Sequence, residues 1–178
     1  MENQTKTTSS KQIMLNYGLI LGFVSILINV TNYALGDAYK PHWSVQVASL
    51  IVSIALIVMG LKKLKESNDG YLTLGNSLKT GIGIMLIGGI IGIIYTYIFM
   101  TFIEPDFMKN MMELRRQGML AGNPNLTDEQ IEKAMNMSKK FSGFWIIAVF
   151  GLLWSIFLGF IISLISGLIM KKTPEQDY

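Results

Sequence analysis

The sequence predicts an all-α integral membrane protein, a four-helix bundle with an extramembrane helical hairpin between the third and fourth spans. Three observations carry that expectation. First, 51% of the 178 residues are hydrophobic and only 15% are charged, against about 25% charged in a soluble domain. Second, the charges are segregated. Four runs, Ile13 to Leu35, Trp43 to Leu61, Gly81 to Ile103 and Phe144 to Met170, contain no Asp, Glu, Lys, Arg or His. At about 1.5 Å per residue, each run can cross a hydrocarbon layer roughly 30 Å thick. Third, the segment between the last two runs is charged and carries its own helix signals.

Taken in order, residues 1–12 (MENQTKTTSSKQ) are polar and lack an apolar period, which predicts a disordered tail. The first run follows Lys6 and Lys11 but exceeds the roughly 7–15 residues of a signal-peptide core, and no A-x-A site follows it. It is read as a retained span. GDAYKPH (36–42) is short and contains the breakers Gly36 and Pro41, so spans one and two form an antiparallel hairpin. In the next connection, 62–80, three lysines precede the turn signal SNDG.

Residues 104–143 form the insert. Pro105 interrupts span three, and Thr127 with Gln130 makes a capping box for a helix from about Asp128 to Phe141. On that helix Ile131, Ala134, Met135 and Ser138 share a face. A partner helix from Asp106 to about Leu120 offers Phe107, Met111 and Leu114 at similar spacing, with GNPN (122–125) as the turn. A short tail, 173–178, follows the fourth span.

Glycine is dense in span three, GIGIMLIGGIIGIIYTYIFM. A dinucleotide loop is excluded because Gly81 and Gly83 are followed by Leu86 where the third glycine belongs, inside an apolar run with nothing polar for phosphate. Gly88 and Gly92 instead fit the small-xxx-small spacing that lets membrane helices approach closely, and Gly81 shares their face. Span one carries a stripe of Gly18, Gly22, Ser25, Asn29 and Asn32, alternating steps of four and three. Span four carries Gly151, Ser155, Gly159, Ser163 and Gly167, all in steps of four. Each such step rotates about 40° around a 3.6-residue helix, so this stripe winds. It predicts a right-handed crossing or contacts with two different neighbours. Packing is the preferred role for all these positions. Laying Gly18 over Gly81 also aligns spans one and three, which points to a duplicated hairpin.

Chemistry has few places to reside. Cysteine is absent, which removes thiolate metal sites and cysteine nucleophiles. Asn29 and Asn32 are the best-placed polar residues within a span; amides there usually join helices, and otherwise form a polar membrane site. Asp37, His42, Glu104 and Asp106 lie at span ends, where carboxylates and an imidazole can hold a divalent ion. Charges collect at span ends in any membrane protein, so no metal, cofactor or catalytic residue is assigned. The net charge of +3 is located at span ends and speaks for anionic lipid, not nucleic acid. Among 12 methionines, Met108, Met111, Met112, Met119, Met135 and Met137 fall in the insert. They serve as filler, as an adaptable partner surface, or as a soft-metal site.

Lys and Arg totals on the two sides are similar. Orientation therefore rests on KKLK after span two and MKK after span four, which place both termini in the cytoplasm.

The order of several short motifs resembles a known group. NYGLILGF (16–23), GYLTLGNSLKTG (70–81), EPDF (104–107), LTDEQIEKAM (126–135) and the terminal LISGLIMKK (164–172) resemble bacterial small four-span membrane proteins of domain-of-unknown-function family 4199. The resemblance implies four spans with an insert before the last, in a bacterial cytoplasmic membrane. It implies no activity, substrate or site residue. The expected function is non-enzymatic: a structural or interaction protein contacting lipid, a protein partner or a second copy through Phe107, Met111, Leu114, Ile131 and Met135. The alternatives are a small transporter or channel subunit using the Asn29/Asn32 face, and a membrane enzyme with a metal near His42.

Overall fold

In the computed structural model of the chain, residues 9–36, 39–40 and 42–173 are described. They form six α-helices: α1 (Ser10–Ala34), α2 (Trp43–Ser67), α3 (Leu74–Ile98), α4 (Phe107–Gly122), α5 (Asp128–Lys140) and α6 (Phe144–Met170). A π-helical turn, Phe99–Ile103, extends α3. Four of these helices, counting α3 with its π turn, are long and apolar enough to cross a membrane.

Three of the long helices overrun the apolar runs. α1 starts at Ser10, so residues 10–12 belong to its first turn instead of a tail; residues 1–8 lie outside the described residues, as do 174–178 of the short C-terminal tail. α2 continues six residues past Leu61 through KKLKES, all but Ser67 being good helix formers. It stops where Asp69 (φ 52°) and Gly70 (φ 82°) turn left-handed, and the Gly70 N–H returns to the Lys65 carbonyl at 2.9 Å. α3 starts seven residues before Gly81, with the Thr73 hydroxyl accepting from the Asn76 N–H at 3.2 Å.

The chain divides into two compact units, Met1–Gly92 with Leu152–Tyr178, and Ile93–Gly151. In the first, Ile13, Leu21, Ile57, Leu61, Leu64, Ile84, Met85 and Ile162 from the four long helices join Leu72 of the α2–α3 connection in one buried cluster. Three polar ties reinforce the end where α1 begins. Lys65 Nζ donates to the Met170 carbonyl at 2.9 Å. Leu72 and Lys172 exchange two backbone hydrogen bonds of 2.8 and 3.1 Å. The Ser10 and Thr80 hydroxyls lie 3.2 Å apart. Large apolar side chains such as Phe23, Leu27, Trp154 and Ile169 are more than half exposed. Water would make that surface an aggregation liability, whereas lipid tails solvate it.

α3 explains its own glycine content, because it touches three neighbours. Against α1, a Cβ built on Gly18 would lie 2.7 Å from Ile87 Cβ, and one on Gly22 the same distance from Ile91 Cβ. One on Gly88 would meet Leu21 at 2.9 Å. Against α2, a Cβ on Gly81 would come within 3.3 Å of Ile57, and one on Gly60 within 2.7 Å of Ile84. Against α6, Gly81 lies on Ser163, Gly89 on Ser155, Met85 on Gly159 and Ser77 on Gly167. Residue numbers rise by four along α6 as they fall by four along α3.

That last pairing modifies the expectation for span four. Four of its five stripe positions face a single neighbour, because the contact row on α3 also steps by four and both rows wind together. The fifth, Gly151, meets nothing within 4 Å, and neither does Gly92 of α3. Gly18 and Gly81, matched in the proposed duplication, face α3 and α6 respectively. The serines in these rows are satisfied within their own helices. Ser77 donates to the Thr73 carbonyl at 3.0 Å, Ser155 to the Leu152 carbonyl at 2.9 Å and Ser163 to the Gly159 carbonyl. Hydroxyls used in this way fill space between helices and leave no donor for a ligand.

Candidate functional site: a methionine-lined groove on the helical hairpin

The second unit contains the π turn and the hairpin α4–α5. Pro105 has no N–H, and its ring drives Glu104 out of the helical region (φ −137°, ψ 74°). The Glu104 N–H bonds back to the Phe99 carbonyl at 2.8 Å, five residues earlier, which widens the last turn. Phe99 is buried, with its ring centroid 5.9 Å from that of Tyr95 and 5.3 Å from that of Phe107 at the start of α4. The end of α3 and the beginning of the hairpin are thus stacked together.

α4 is 16 residues long and carries Lys109, Glu113, Arg115 and Arg116. At about 1.5 Å per residue it falls short of the roughly 30 Å hydrocarbon thickness. The 13-residue α5 is shorter still and more densely charged, with Asp128, Glu129, Glu132, Lys133, Lys139 and Lys140. Its start has the expected capping box: Gln130 N–H donates to the Thr127 hydroxyl at 3.3 Å, and Thr127 N–H to the Gln130 side-chain oxygen at 3.0 Å. Asp128 and Glu129 in the first turn and Lys139 and Lys140 in the last oppose the helix dipole.

Phe107, Met111, Leu114 and Met135 are half-buried, and Ile131 is buried. Of these residues, expected to contact a partner, Ile131 is closed off and Met135 alone reaches the neighbouring groove. The open feature lies beside them, a groove of about 650 Å³ lined by Met108, Met112 and Met135 together with Lys109, Glu113, Lys139, Asn110 and Ser142. Met108 and Met112 are one turn apart on α4, and Met135 reaches the groove from α5. Sequence periodicity points to Met111 and Leu114; the neighbouring ridge at Met108 and Met112 is distinguishable from it only once the rotation of α4 is known.

The remaining expected positions are dispersed. Asn29 is exposed and donates to the Ser25 carbonyl of its own helix at 2.8 Å, so it does not join helices by that bond. Asn32 lines a cleft of about 520 Å³ between α1 and α2, together with Thr31, His42 and Ser44 and an apolar wall that includes Leu27, Ile28 and Val45. His42 caps α2: its Nδ1 lies 2.9 Å from the Ser44 hydroxyl and accepts from the Ser44 N–H at 3.4 Å, with the ring tilted on Trp43. Asp37 lies outside the described residues. Glu104 closes the π turn and Asp106 precedes α4 without a side-chain capping bond. Among the described residues, no group of three or more His, Cys, Asp or Glu side chains is arranged to hold a metal ion.

Four long apolar helices with lipid-suited surfaces define a multi-pass membrane protein, interrupted by a charged hairpin too short to span. The chain belongs to the family described as protein of unknown function, DUF4199, whose family model matches residues 16–172. No curated protein and no solved structure matches it.

Proposed function

We propose that the chain is a non-enzymatic interaction protein of a bacterial cytoplasmic membrane, with both termini in the cytoplasm. The hairpin α4–α5 is its contact surface for a protein partner or a second copy of the chain. The observation that carries this reading is the groove lined by Met108, Met112 and Met135 and edged by Lys109, Glu113 and Lys139. Unbranched thioether side chains adapt to a partner's shape, and mixed charges around them supply orientation. Photo-crosslinking in intact membranes tests it. A crosslinker at Met135 should capture a protein partner or a second copy, while one at Asn136, exposed and outside the groove, should not. Equal capture from both positions, or capture of lipid alone from Met135, refutes the proposal.

A second reading, a small transporter or channel subunit, is favoured by the cleft that Asn32 lines between α1 and α2. Replacing Asn32 by Leu, with Asn29→Leu, would then abolish solute flux in liposomes while the fold persists.

A further inference from the structure

We propose that the first unit holds the phosphate of an anionic phospholipid in a polar cavity at the lysine-bearing end of its spans. The cavity is about 410 Å³ and is formed by the start of α1, the end of α2 and the first turns of α3. It is lined by Ser9, Ser10, Ser67, Asn68, Asn76 and Lys79, over Leu64 as an apolar floor. Ser67 donates to the Leu64 carbonyl at 2.9 Å and Ser10 is bonded to Thr80, so the donors open to an anion are the Ser9 hydroxyl, the Asn68 and Asn76 amides and the Lys79 ammonium, and no lining residue is a carboxylate. Such a set solvates an anion and gives a cation nothing to balance its charge.

Among the described residues, Lys79 is the only lysine that lines the cavity, and it shares with Lys11, Lys62 and Lys171 a lack of the partners that other lysines at this end have. Lys63 pairs with Glu66 at 3.5 Å, Lys65 caps the Met170 carbonyl and Lys172 lies over the Tyr71 ring. Among the described residues, Lys79 Nζ has no ion pair, and the side-chain amides of Asn68 and Asn76 have no hydrogen-bond partner. Ser9 precedes α1 without making a side-chain capping bond. Asp69, in the adjoining turn, does not line the cavity.

Depth selects a lipid over a dissolved anion. Ser10 lies three residues outside the apolar run that begins at Ile13, Lys79 two residues outside the one that begins at Gly81, and Asn68 seven residues beyond Leu61. At about 1.5 Å per residue these positions sit roughly 3–10 Å past the hydrocarbon edge. The headgroup layer occupies about 5–8 Å on each side of the bilayer, so Ser10 and Lys79 fall within the phosphate level and Asn68 borders its outer side.

Native mass spectrometry of the full chain in detergent, titrated with phosphatidylglycerol, phosphatidylcholine and inorganic phosphate, tests the assignment. One saturable phosphatidylglycerol site is expected, with phosphatidylcholine weaker and millimolar inorganic phosphate unable to displace the lipid. Lys79→Gln should weaken that site about fivefold. Lys171→Gln removes the same charge from a residue outside the cavity and should leave the site unchanged. Asn68→Ala, at an exposed position, gives an independent loss should Lys79→Gln disturb the fold. Equal weakening by Lys79→Gln and Lys171→Gln reduces the effect to diffuse electrostatics and overturns the proposal. So does equal affinity for phosphatidylcholine, or displacement by inorganic phosphate.

Discussion

Gly159 and Gly151 lie on the same stripe of α6, eight residues apart, and the structure gives them opposite fates on substitution. A Cβ at position 159 would sit 3.0 Å from Met85 Cβ and Cγ and 3.1 Å from the Ile82 Cα. Carbon atoms pack comfortably at about 3.5–4.0 Å, so α3 and α6 must part by roughly 0.5–1 Å before the rest of a larger side chain is accommodated. Met85 Cβ and Ile82 Cα are fixed to the backbone and cannot swing aside. Overpacking of this kind costs about 1–3 kcal/mol, which is roughly 5- to 150-fold in the folding equilibrium. At position 151 a Cβ meets nothing within 4 Å, and a surface change of that kind stays within about 0.5 kcal/mol. Reversible unfolding in mixed micelles, followed by far-ultraviolet circular dichroism, would compare Gly159→Leu with Gly151→Leu. Equal losses for the two, or none for Gly159→Leu, would refute the argument that close approach to α3 is what requires glycine.

Thr127→Ala removes the hydroxyl that caps α5 and should cost about 0.5–2 kcal/mol, read as faster amide exchange over residues 128–131 with α2 unaffected. Leu72→Ala empties a fully buried position in the α2–α3 connection. A loss of about 2–5 kcal/mol is expected, and a thermal midpoint matching the parent would show that the connection is not part of the core.

The spans were legible because four charge-free runs of bilayer length are more apolar surface than a chain of 178 residues can hide from water. Their ends were less so. KKLKES continues α2 because lysine, leucine and glutamate favour helix whether or not lipid surrounds them, and hydrophobicity is blind to that. The capping box at Thr127 was readable since both partners lie within one turn. Within the small-residue stripes, Gly18, Gly22, Gly81, Gly88, Ser155, Gly159, Ser163 and Gly167 stand at close contacts, whereas Gly60, Gly83 and Gly89 do so without belonging to any of those stripes. A helix with three neighbours needs several contact faces, and a search for a single face passes over the others. The backbone pairing of Leu72 with Lys172 joins residues a hundred positions apart and leaves no local pattern. The hairpin groove was hidden for a related reason: adjacent methionines on α4 differ only in which way the helix is turned.

The α3–α6 pairing carries a latent ambiguity. Two rows repeating every four residues can slide by one repeat, about 6 Å along the axis, and still set small residue against small residue over much of their length. The bulky Met85, opposite Gly159, is one tooth that would then jam against a serine. The other safeguard lies at the terminus. With Lys172 hooked to Leu72 and Lys65 grasping the last carbonyl of α6, slippage would tear both attachments. The hook acts as an end-stop, and cutting the chain back to Met170 together with Lys65→Met should leave two helices that associate but disagree about their alignment.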